Sequence, residues 1–126
     1  MKFMPIDPPR VFEVGRGKSI TIKDCAHIKL APDEQVTFLT DSGAEYDLAR
    51  KEWGFYATPS LNGRLRQFGF RAALVKSPLN KFYIFLLEQG KEGAFQAYLN
   101  AEKHEVIGWL DSDQALEKLE QKMRRT

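Results

Sequence analysis

Along the first half of the chain, apolar and polar residues alternate with a period of two. Ile20 and Ile22 alternate with Thr21 and Lys23, Val36 and Phe38 with Thr37, and Tyr46 and Leu48 with Asp47 and Ala49. Successive side chains on a strand point to opposite faces, so each run predicts a half-buried β-strand. Val11 to Val14 and His27 to Leu30 are shorter runs of the same kind. Asp41-Ser42-Gly43 lies between two of them, where glycine supplies the positive φ of a hairpin loop. Residues 1–10 hold three of the six prolines and predict an extended N-terminal arm without regular structure.

The second half mixes two periods. Thr58-Pro59 suits a helix start, Leu61, Leu65 and Phe68 follow at i, i+4 and i+7, and Gly69 suits a stop. This predicts a short helix over 58–69, with a two-residue hairpin at Asn62-Gly63 as the competing reading. Phe70 to Lys76 and Lys81 to Glu88 predict two strands, and the second is apolar on both faces, which predicts a central place in the sheet. Residues 92–102 predict a helix with Phe95, Tyr98 and Leu99 on one stripe, and Glu105 to Leu110 a further strand. Asp111-Ser112-Asp113 offers N-caps for a last helix carrying Leu116, Leu119 and Met123. The expected fold is α+β: an antiparallel or mixed sheet of five to seven strands with a short central helix and two helices in the C-terminal half. One domain is expected over 11–126.

Composition narrows the classes. The 126 residues carry 19 Lys+Arg against 17 Asp+Glu, so bulk positive charge cannot drive nucleic-acid binding. A hydrophobic content of 43% excludes general disorder. The single Cys25 forms no intramolecular bridge. The N-terminus lacks the apolar stretch of a signal peptide, and the longest apolar run, Phe82 to Leu87, is too short for a membrane helix. A cytoplasmic protein of bacterial type, without membrane association, is the expectation.

Chemical motifs are sparse. Gly15-Arg16-Gly17-Lys18-Ser19 mimics the tail of a phosphate-binding loop, but Phe12 stands where the first glycine belongs and a strand follows instead of a helix. It reads as a turn. Cys25 and His27 share one face of a strand, yet only His104 remains to join them as a nitrogen ligand, so neither a metal nor a catalytic pair is assigned. Glu45 and Asp47 read as the wet side of a strand, and Asp111 and Asp113 as caps. No cofactor motif is present, and the reading leans away from an enzyme.

Charge distribution changes the picture more than its sum. Residues 53–87 contain no Asp or Glu, and residues 50–87 carry a net charge of +6 against −4 elsewhere. Aromatic residues interleave with these cations. Arg64, Arg66 and Arg71 could supply planar forks to an anion, while Trp53, Tyr56 and Asn62 supply stacking and hydrogen bonds. The expected role is a non-enzymatic binding or accessory domain for an anionic small molecule or a protein partner. The alternatives are a small enzyme acting on a phosphorylated or nucleotide-linked sugar, and a single-strand nucleic-acid binder.

The block Trp53 to Asn62, with Phe68-Gly69-Phe70 and Gly108-Trp109-Leu110, resembles small uncharacterised bacterial proteins associated with surface-polysaccharide gene clusters. The resemblance spans roughly residues 35–110. It implies an accessory role in glycan biosynthesis and supplies neither an activity nor catalytic residues.

Overall fold

A computed structural model describes residues 1–125. Among the described residues eight strands form three sheets, joined by three α-helices, so the fold is α+β with one more strand than the upper expectation. The chain divides into two compact units. One comprises Met1–Val36 and Leu48–Tyr56, the other Thr37–Asp47 and the residues from Ala57 onward.

The first unit is built on a hairpin ribbon of β1 (Lys2–Val14) and β2 (Ile20–Lys29). Residues 1–10 are therefore no free arm: from Lys2 on they are the first part of a paired strand. Prolines are tolerated because each strand of a two-stranded ribbon has an unpaired edge. The register slips between Pro5, opposite Ala26, and Arg10, opposite Asp24. Gly15 and Gly17, with φ of 82° and 65°, turn the chain between the two strands, so the GRGKS run is a turn.

A second sheet has the order β3 (Gln35–Leu39), β4 (Glu45–Lys51), β5 (Gly54–Ala57). Gly43, at φ 89°, sits in the predicted loop between β3 and β4. Asp47 departs from its expected wet face. It is buried, with its carboxylate accepting a hydrogen bond from Thr37 Oγ1 at 2.5 Å.

The second unit contains the third sheet, ordered β7 (Phe82–Glu88), β6 (Phe70–Lys76), β8 (Glu105–Trp109). On one face Ala73 and Val75 pack with Leu99 of α2 (Glu92–Glu102), Phe85 and Trp109. On the other face Phe70 and Ala72 pack with Leu65 of α1 (Arg64–Gln67) and with Leu86. The last helix, α3, spans Asp113–Met123 and is capped by Ser112, whose hydroxyl accepts from the Ala115 N–H at 3.1 Å.

Two expectations fail here for physical reasons. The helix over 58–69 shrinks to the single turn α1, because Gly63 adopts φ −146° and ψ −100°, outside helical space. Neither does Asn62-Gly63 close a hairpin. The second correction concerns β7: it is an edge strand, and the small residues of β6 mark that strand as the central one.

Candidate functional site

The arginine-bearing turn α1 owes its position to Leu65, which is fully buried against Phe70 and Ala72. Ser60 nucleates the turn, its hydroxyl accepting from the Arg64 N–H and its carbonyl from the Leu65 N–H. Gly69, at φ 101°, ends it, as the sequence predicts. Residues two apart on a helical turn point about 200° away from each other, so Arg64 and Arg66 diverge. Arg64 lies over the Phe68 ring, 4.9 Å from its centroid, and 3.8 Å from the Asp47 carboxylate. Arg66 instead approaches Asp111 at 3.6 Å.

Arg71 meets the same Asp111. Its Nε and Nη2 donate to the two carboxylate oxygens at 2.7 and 3.2 Å, and its guanidinium covers the Trp109 ring at 4.1 Å. Burial pushes the Asp111 carboxyl toward the neutral form. The Arg71 hydrogen bonds and the positive fields of Arg71 and Arg66 outweigh this and hold its pKa below the ordinary range. Asn62 Nδ2 donates to Asp113 at 2.7 Å. Trp53 and Tyr56 belong to the first unit, where their rings stack at a centroid distance of 6.1 Å.

Of the six predicted residues, Arg66 and Arg71 thus converge, and the anion between them is Asp111 of the chain itself. Sequence reasoning missed Asp111 and Trp109 in this role. The signal was the −4 outside the basic segment: its carboxylates return in space to the arginines.

A second surface on the same sheet was also missed. The register sets Leu74 opposite Ile84 and Lys76 opposite Phe82, on the face that α1 covers farther along at Ala72 and Leu86. Beyond α1 this face is bare: Phe82 and Ile84 are each 56% exposed. On the β8 side Leu74 faces Gly108, which has no side chain to shield it. Lys76 lies over the Phe82 ring at 5.7 Å, and Lys81 precedes that residue. Neither lysine forms an ion pair among the described residues.

Elsewhere in the second unit, Gly43, Phe68 and Glu88 help to line a cavity of about 220 Å³, and none of the six predicted residues borders it. Among the described residues no group of three or more His, Cys, Asp or Glu side chains is arranged to hold a metal ion. Nor is any helix among the described residues long and apolar enough to cross a membrane. No protein-family model, curated protein or solved structure matches this chain.

Proposed function

We propose that this chain is a non-enzymatic binding domain whose partner is an acidic, partly apolar protein segment taken up along β7. The observation that carries this reading is a strand apolar on both faces that lies at a sheet edge, with Phe82 and Ile84 open to solvent. An edge strand offers a row of unpaired N–H and C=O groups to which an extended peptide can add, and alternate side chains set the specificity. Lys76 and Lys81 beside Phe82 give that edge a positive field, which favours carboxylates in the partner. Arg64 and Arg66, both more than half exposed at their side chains, add cationic N–H groups beyond their contacts to Asp47 and Asp111.

Synthetic peptides of alternating apolar and acidic residues, with basic counterparts of the same pattern, test this by fluorescence polarisation. The acidic set binds more tightly, its affinity falls as salt rises, and Ile84→Glu or Lys81→Glu lowers it roughly tenfold or more. Equal binding of acidic and basic sets, or an Ile84→Glu chain that binds unchanged, overturns the reading.

A further inference from the structure

The cavity at the end of β7 raises a question of charge. Glu88, the last residue of that strand, helps to line it, together with Gln67 and Phe68 from the end of α1, Gly43 from the loop after β3, and Gln89. All belong to one compact unit. Arg64 and Arg66 share α1 with Gln67, yet neither neutralises Glu88: Arg64 turns to Asp47 and Arg66 to Asp111. Among the described residues Glu88 forms no ion pair, and its Oε1 is shut off from solvent without accepting a hydrogen bond. A carboxylate deprived of part of its hydration and given no counter-ion is costly. Here it borders a space that a cation can enter.

The hydrogen-bonding balance around the cavity has the same sign. Four of its backbone N–H groups are spent: Gly43 donates to the Thr40 carbonyl at 3.0 Å, Phe68 to that of Arg64 at 2.9 Å, Gly69 to that of Arg66 at 3.1 Å and Gln89 to that of Gly69 at 2.8 Å. Gln89 also turns its side-chain Nε2 to the Arg66 carbonyl at 2.9 Å, which leaves Oε1 as the end of the amide able to accept. The Gln67 side-chain amide has no hydrogen-bond partner among the described residues. Spare acceptors around a carboxylate repel an anion and suit a ligand that brings N–H groups.

We propose that this cavity binds a primary ammonium group, carried by a small amine or by a lysine side chain. An ammonium is a compact charge with three donors, and Glu88, Gln67 and Gln89 offer an acceptor for each. A guanidinium fits less well, because its planar fork is best met by both oxygens of a carboxylate, and one Glu88 oxygen is shut away. A metal ion is disfavoured, since no group of three or more His, Cys, Asp or Glu side chains gathers here among the described residues. The volume of about 220 Å³ lies below the roughly 300–1,000 Å³ of pockets for drug-sized ligands. It therefore takes a short amine or one chain end. None of Lys76, Lys81, Phe82 and Ile84 borders the cavity, so the inference does not rest on peptide uptake along β7.

Titration of the full isotope-labelled chain with n-butylammonium chloride, followed by amide NMR, tests the assignment, with 1-butanol, sodium butyrate and potassium chloride as counterparts. Butylammonium shifts the Gly43, Phe68, Gly69 and Gln89 signals saturably, and the three counterparts do not. Glu88→Gln keeps the side chain's shape, removes its charge and weakens binding about tenfold or more. Glu117→Gln, on exposed α3, leaves it unchanged. At the exposed rim Gln67→Lys weakens binding and Gln67→Glu tightens it by about two- to fivefold; this pair decides the matter even where Glu88→Gln fails to fold. Cadaverine and Nα-acetyl-lysine N-methylamide then separate the two sources, and tighter binding of either upholds the proposal while assigning a free amine or a lysine side chain. Equal shifts with butyrate or potassium chloride, no saturable shift with any amine, or binding indifferent to both Glu88→Gln and Gln67→Lys overturns it.

Discussion

Asp111 is nearly inaccessible at its side chain, yet it faces two guanidiniums, and the balance between them sets its worth. Removing its charge leaves Arg71 on the Trp109 ring without a counter-ion. Full burial would make such a loss cost several kcal/mol, but Arg71 is about one-third exposed and water recovers part of it. Asp111→Asn therefore destabilises the fold by about 2 kcal/mol, read as a lowered urea midpoint with unchanged slope. Asp113→Ala, which loses only the Asn62 contact and a first-turn charge, costs about 1 kcal/mol or less. The pH dependence has a definite sign. The folded-state pKa of Asp111 lies below the unfolded one, so its stabilisation is complete above the ordinary carboxylate range and disappears as pH falls through the folded value. In acid titration, wild type and Asp111→Asn should converge. From sequence, Asp111 and Asp113 both read as caps, since each stands just before an amphipathic run. A cap needs one side-chain oxygen; Ser112 supplies it, which leaves the Asp111 carboxylate to the arginines.

Among the elements, those whose local signals agree emerged at their expected places. The helix expected over 92–102 is Glu92–Glu102, and the strand expected over 70–76 is Phe70–Lys76. Where local signals competed, tertiary contacts decided. The 58–69 segment has a helical period, but Gly63 breaks it and only the turn around buried Leu65 survives. Leu65→Ala consequently costs about 3 kcal/mol, and chemical denaturation reads it directly. Gly69→Ala destabilises by about 1–3 kcal/mol, because the backbone is at φ 101° and a Cβ would meet that of Ala44 at 3.0 Å. The rank of β7 was illegible for a different reason. A strand apolar on both faces looks the same whether its second face meets the core or awaits a partner, and only strand order distinguishes them. Likewise, β5 is four residues long, too short for alternation to register.

Over the whole molecule, a segregated sequence becomes a locally neutral fold. Lys51, Arg64, Arg66 and Arg71 of the basic segment meet Asp33, Asp47 and Asp111, all from outside it. The six predicted site residues were legible as charged and aromatic types; their pairing was not, because one-dimensional charge counts carry no distances. The open flank of β7 has one more consequence. A bare apolar edge is also a template for uncontrolled stacking of chain upon chain, the first step toward fibrils. Lys76 and Lys81 would then be gatekeepers as well as the proposed attractants: the charge that would favour an acidic guest repels another copy of the same strand. Under the proposed reading, protection from stacking and recognition at this edge would rest on the same two ammonium groups.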